Sequence, residues 1–295
     1  MSKSNIYYYK VANHVFVVSD ERTAASEGLM SDNYTPFKVA QQPSPAFTLH
    51  IVDRVDDTGF TQELHQDDDG SEIIVGTVSH LPCFKFLLFG EQAGVMLANA
   101  DYTEGWLHFV SETESSFALD NALMVMYALS TATKMTALFH SSVVSCDGRA
   151  YMFLGKSGTG KSTHSRLWLQ HIAGTELMND DNPVVRIEDG MATVFGSPWS
   201  GKTPCYRNVS MPLGAIVQLS QAPYNKICPL KSIQAYAALV PSISGKRWDK
   251  RIAEGLHQTE NWLAQYAAVY HLECLPDADA ARVCHEEISK KGSKE

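Results

Sequence analysis

Long hydrophobic runs are missing from this chain. None of its apolar stretches approaches the length that spans a bilayer. The opening MSKSNIYYYK lacks the continuous apolar core and small-residue cleavage site of a secretory leader. Ordered cysteine spacing is missing too. Cys83, Cys146, Cys205, Cys228, Cys274 and Cys284 are scattered without C-x-x-C or Cys/His metal spacing, and read as reduced thiols in a core or at a surface. Basic charge is in short supply: 24 Lys+Arg against 33 Asp+Glu leave a net charge of −9. That balance argues against nucleic acid or an anionic membrane as a partner, since either needs a basic face. There is no internal repeat and no low-complexity block. The acidic run Asp67-Asp68-Asp69 ends in Gly70 without the later Glu of a calcium loop, and reads as a solvated turn. A cytoplasmic globular protein is the expectation.

What is present suits two domains. The chain has 295 residues, 44% hydrophobic and 19% charged. Residues up to about 115 are strand-rich: FTLHIV, EIIVGTV, FKFLLFG, GVMLANA and GWLHFV, parted by Gly, Asp and Asn, predict an antiparallel meander. SDERTAASEGLMSDN and QQPSPA read as loops within it. Helical periodicity begins at Leu119 and runs to Phe139, with Asp120 as its cap. The expected division is therefore a strand-rich domain over 1–118, an α/β domain over 119–290, and a frayed tail over 291–295. In the second domain, Asp147-Gly148 predicts a hairpin of His140–Ser145 with Arg149–Leu154. EDG before MATVFG predicts another. Leu213–Leu219 and VYHLECL read as strands; Ser232–Leu239, Lys250–Ala268 and Ala278–Ile288 read as helices.

The most informative stretch is GKSGTGKST, Gly155 to Thr163, which fits G-x-x-x-x-G-K-[ST] between a strand (RAYMFL) and a helix (HSRLWLQHI). Gly155, Gly158 and Gly160 let the backbone curl so that its N–H groups converge on one anion, to which the helix N-terminus adds partial positive charge. Ser157, Thr159 and Thr163 complete the nucleotide-binding loop. Lys161, expected on a solvent-facing loop, would reach the β/γ-phosphates, and Ser162 would hold Mg²⁺. ATP or ADP with Mg²⁺ is the expected ligand.

Asp180-Asp181 follows about twenty residues later. A phosphate site with Mg²⁺ needs one carboxylate for the metal and a second group to deprotonate the attacking hydroxyl. The metal contact is set at Asp181, with the exchange of roles between the two left open. His140 precedes the strand next to the loop strand; taken alone, it reads as a structural histidine. Lys202 and Arg207 lie in GSPWSGKTPCYRN (Gly196–Asn208), a loop that Gly196 and Gly201 would hinge and whose cations would close over phosphates. Trp199 would stack on a base or tuck under the loop.

The order LFHSSVV, GKSGTGKS, NDD over roughly residues 135–220 resembles the catalytic domain of HPr kinase/phosphorylase. The loop is also similar to that of phosphoenolpyruvate carboxykinase, a family of related fold. The resemblance implies a P-loop kinase domain of that type. It implies Lys161 on the β-phosphate, Ser162 on Mg²⁺, Asp180 and Asp181 as base and metal contact, and His140 paired with the base. It also raises a homo-oligomer as the assembly state. The Arg-Gly-Leu-Gly signature tied to phosphorolysis in that family is replaced here by GSPWSGKTPCYRN, so neither the reverse reaction nor HPr as substrate is implied. The expected function is an ATP- and Mg-dependent kinase acting on a hydroxyl, serine or serine-like, on a small molecule or a protein. A nucleotide-dependent regulatory module and a carboxykinase-like enzyme are the alternatives.

Overall fold

The computed structural model describes residues 5–23, 28–201 and 203–289. It is a mixed α/β protein with two sheets, dividing into compact units Met1–Thr131 and Ala132–Glu295.

In the first unit, β1 (Asn5–Val11), β2 (His14–Asp20), β3 (Phe47–Ile51), β4 (Thr61–Asp68), β5 (Ser71–Val78), β6 (Leu81–Leu88), β7 (Glu91–Ala98) and β8 (Glu104–Phe109) build one eight-stranded sheet. The order is β1-β2-β3-β8-β7-β6-β5-β4. β4 to β8 form the expected antiparallel meander, but β3 runs parallel to both β8 and β2. Hairpins turn at Ala12-Asn13, Asp69-Gly70, Ser79-His80 and Phe89-Gly90, all with positive φ. Such turns follow the right-handed twist of the strands they join.

Helix α1 (Ser115–Thr131) packs on this sheet. A Cβ on Gly94 would lie 2.7 Å from the Ala118 Cβ, and one on Gly105 3.1 Å from the Met126 sulfur, so the glycines make room for the helix. The Tyr127 hydroxyl donates to the Val11 carbonyl at 3.1 Å. These contacts place α1 in the first unit, where the expected boundary at 118/119 had put it in the second. Asp120 is not its cap, because the helix starts at Ser115. The Asp120 carboxyl is instead buried beside Tyr34 and Asn33, and burial raises its pKa.

The second unit contains β9 (Thr136–Leu138), β10 (Ser141–Cys146), β11 (Arg149–Leu154), α2 (Lys161–His171), β12 (Glu176–Asp181), β13 (Val184–Glu188), β14 (Met191–Phe195), β15 (Ser210–Gln221), β16 (Lys226–Pro229), α3 (Ile233–Leu239), α4 (Lys250–Tyr266), β17 (Val269–Cys274) and α5 (Ala278–Ser289). Its nine-stranded sheet runs β12-β10-β11-β15-β14-β13-β9, with β17 on β15 and β16 on β17. β15 begins antiparallel to β14 and continues parallel to β11 and β17. Alternate residues of these strands (Tyr151 and Phe153, Val217 and Leu219, Tyr270 and Leu272) share a core with Trp168 of α2 and Ala281, Cys284 and Ile288 of α5. The run expected as one helix to Phe139 breaks after Thr131, and Thr136–Leu138 pairs as a strand with β13. No helix among the described residues is long and apolar enough to cross a membrane.

Candidate active site

One end of strands β10, β11 and β12 brings the candidate site residues together, and strand direction explains why. β10 is antiparallel to both its neighbours, so its first residues lie beside the last residues of β11 and β12. Ser141 faces Leu154 on one side and Asp181 on the other; Ser142 faces Asp180. His140 directly precedes β10, and the glycine-rich loop directly follows β11. Three separate segments thus meet at one end of these strands.

The loop from Gly155 to Gly160 leads into α2, which has no side-chain cap; Gly160 at its N-cap has φ +108°. Gly158 also has positive φ, +77°. A side chain at either would strain the turn, and the uncapped first amides of α2 remain as donors at the loop mouth. Ser157 and Gly158 are exposed, while Thr159, Ser162 and Thr163 are half-buried. Gln221, at the end of β15, donates to the Gly158 carbonyl at 3.3 Å. Beneath the loop, the buried Ser142 and Ser165 hydroxyls bond at 2.6 Å and tie β10 to α2.

Lys161 is buried, at 9% exposure, rather than solvent-facing. Its Nζ donates to the Gly155 carbonyl at 3.0 Å and lies 2.7 Å from His140 Nε2. An ammonium has only protons to give, so His140 Nε2 accepts. His140 Nδ1 then carries the proton and donates to Asp181 Oδ1 at 3.1 Å. Asp181 Oδ2 accepts from the Asn182 amide at 2.8 Å. On the other side, the Ser162 hydroxyl donates to Asp180 Oδ1 at 3.0 Å.

The two carboxylates are thereby differentiated. Asp180 is 5% exposed and faces Ser162. The Asp181 side chain is 33% exposed and faces His140. The sequence reading set the metal contact at Asp181; Asp180 is the carboxylate beside Ser162. Asp181 also has φ +131°, a backbone state that costs a non-glycine residue about 1–3 kcal/mol and must be held by its surroundings. The Gly201 N–H donates to the Asp180 carbonyl at 2.6 Å. A Cβ on Gly201 would come within 3.1 Å of the Asp181 Cβ, so the glycine permits this approach.

The loop after β14 is fastened along β12. Buried Asn179 donates to Ser197 Oγ and the Trp199 carbonyl at 3.3 and 3.2 Å, and accepts from the Asn182 N–H at 3.0 Å. Ser197 Oγ lies 2.5 Å from the Asn182 carbonyl. A Cβ on Gly196 would run into the Arg207 carbonyl, so the glycine permits this close approach of the two backbone segments. Trp199 is tucked in at 5% exposure and has no face open for stacking. Arg207 donates to the Leu177 carbonyl at 2.6 Å and to Glu176 at 2.7 Å. That is the opposite end of β12, roughly 15 Å from the Asp pair at strand rise, so Arg207 does not join the cluster. Lys202 lies outside the described residues. Asn179 and Ser197 were not singled out from sequence, although NDDN carries the signal: an Asn just before two carboxylates, able to bond its own turn.

No protein-family model matches this chain. No curated protein matches it. Among solved structures it is similar to the Hpr(Ser) kinase/phosphatase from Coxiella burnetii, at 10% sequence identity and a TM-score of 0.31, over 53% of this chain and 99% of that one. A likeness this distant carries no argument, and the site rests on its own geometry.

Proposed function

We propose that the second unit is a P-loop phosphotransferase: it binds a nucleoside triphosphate with Mg²⁺ and transfers the terminal phosphate to a hydroxyl. The observation that carries this reading is the meeting of Lys161, Ser162, Asp180, Asp181 and His140, each within hydrogen-bond distance of another, at the uncapped N-terminus of α2. Backbone amides opening a helix and one buried ammonium suit a polyphosphate. Ser162 and Asp180 offer hard oxygen donors 3.0 Å apart, the donor type Mg²⁺ takes. Bound there, Mg²⁺ would neutralise charge on the phosphate oxygens.

The roles of the two carboxylates follow from their surroundings. Asp181 is the open one, and it takes the proton of the acceptor hydroxyl. His140 Nδ1–H and the Asn182 amide each hold one of its oxygens, which fixes the orientation of the carboxylate. Lys161 binds the phosphates from the loop side. Its contact with His140 couples the phosphate cradle to the base. Catalysis in such a site is positioning and charge stabilisation, and these residues supply both.

Titrating Mg-ATP and Mg-ADP into the protein by calorimetry tests the reading, with γ-phosphate release to water as the turnover assay. Lys161→Ala should lower affinity about 10- to 100-fold, the worth of a charge-assisted contact of about 1.5–3 kcal/mol. Asp181→Asn should keep that affinity and lower turnover about 10²- to 10⁴-fold. Absence of Mg-nucleotide binding by the folded wild-type chain overturns the proposal.

A further inference from the structure

At the opposite end of the β10–β11 hairpin, one sulfur, one carboxylate and one imidazole converge. The ligand atoms of Cys146, Asp147 and His285 all lie within 4.8 Å of one another. Cys146 ends β10, Asp147 occupies the turn with φ +49°, and His285 comes from α5. We propose that these three residues form a binding site for a zinc-class divalent metal that ties the C-terminal helix to the hairpin turn.

The donor set selects the metal. A thiolate with an imidazole and a carboxylate suits Zn²⁺, while Mg²⁺ and Ca²⁺ take oxygens alone. Three protein ligands leave a fourth, tetrahedral position for water. The site is also framed. The His285 ring stands edge-on to Trp168, centroids 5.3 Å apart and planes at 86°, which orients the imidazole. Cys146 is 2% exposed, and its thiol donates weakly to the Ala173 carbonyl at 3.7 Å. Thr175 Oγ1 is buried and lies beside the same sulfur. A hydroxyl there can donate to a metal-bound thiolate or to the metal's water.

The thiol proton holds the place of the metal. Binding Zn²⁺ forms the metal–sulfur bond and releases that proton to solvent, with no change of oxidation state. The site lies about 20 Å from the glycine-rich loop, the length of the six-residue β11. Its role is structural, a clamp between turn and helix rather than part of the transfer chemistry.

Cobalt reports on it directly. The chain is stripped by dialysis against a chelator and titrated with Co²⁺. One equivalent should bind with a sulfur-to-cobalt charge-transfer band and the d–d bands of a tetrahedral ion. Zn²⁺ should abolish these bands and raise the Tm, while Mg²⁺ should do neither. Cys146→Ser should eliminate the charge-transfer band; His285→Gln and Asp147→Asn should each weaken Co²⁺ binding at least ~10- to 100-fold, since even outer-shell changes cost that much. The proposal is overturned if folded wild-type protein shows no thiolate–cobalt band, or if the band survives in folded Cys146→Ser. Should Cys146→Ser fail to fold, unchanged Co²⁺ affinity in His285→Gln and Asp147→Asn overturns it equally.

Discussion

Acidification from pH 6.5 toward 4 should cost the second unit about 3 kcal/mol through one side chain, His164. It sits in the first turn of α2, 2% exposed, with its ring edge-on to Phe153 at 4.6 Å between centroids. Its Nε2 accepts from the Trp168 indole N–H at 3.1 Å. Protonating that nitrogen would turn two donors on each other inside an apolar wall, and burial lowers the pKa from 6.5 to about 4. The unfolded chain takes up a proton near 6.5, whereas the folded chain does so only near 4. Between these values the unfolded state holds more protons, so stability rises with pH; it is complete above 6.5 and is lost as pH falls to 4. At 1.36 kcal/mol per pH unit the loss is about 3 kcal/mol. Urea unfolding followed by tryptophan fluorescence reads it, since Trp168, Trp199, Trp248 and Trp262 belong to this unit and Trp106 to the other. His164→Gln keeps an acceptor for Trp168 but cannot ionise, and should flatten the acid limb by about that amount. Equal pH slopes in wild type and variant would refute the reasoning.

Other perturbations follow from the same geometry. Asp180→Asn should abolish the Mg²⁺ dependence of nucleotide affinity, because the carboxylate beside Ser162 is lost; an unchanged Mg²⁺ dependence in calorimetry argues for Asp181 as the metal side. Asn179→Ala removes the amide that pins Ser197, Trp199 and the Asn182 N–H, and should cost about 2–3 kcal/mol in urea melts. It should also lower turnover more than nucleotide affinity, as Asp181 loses its fixed backbone; equal losses in the two would make Asn179 purely structural. Gly94→Ala in β7 drives a methyl into Ala118 of α1 and should destabilise the first unit by about 1–3 kcal/mol; an unchanged Tm would mean that the helix shifts without cost.

What could be read from sequence was local. The strand–loop–helix around Gly155–Thr163 and the hairpins at Asp147-Gly148 and Asp189-Gly190 lie within a few residues of their causes, glycines and turn formers whose backbone preferences hold wherever the segment sits. The turns at Ala12-Asn13 and Ser79-His80 carry no glycine, and β1, β2 and β4 went unread with weaker cues: β4 is mostly exposed and lacks a buried face to give it alternation. Tertiary structure decided the rest. The parallel pairing of β3 with β8 joins segments about fifty residues apart, and no local propensity encodes it. The burial of Lys161 and the separate surroundings of Asp180 and Asp181 depend on β10 running antiparallel between β11 and β12. The same holds for the position of Arg207, whose charge is spent on Glu176 at the far end of β12. Cys146 and Asp147 meet His285 only because α5 packs beside α2, so a search for metal-ligand spacing along the chain passes over them. Residue types state what chemistry is available, and the directions of strands and helices select which of those residues meet, because a few ångströms decide whether two charged groups interact or are screened by water.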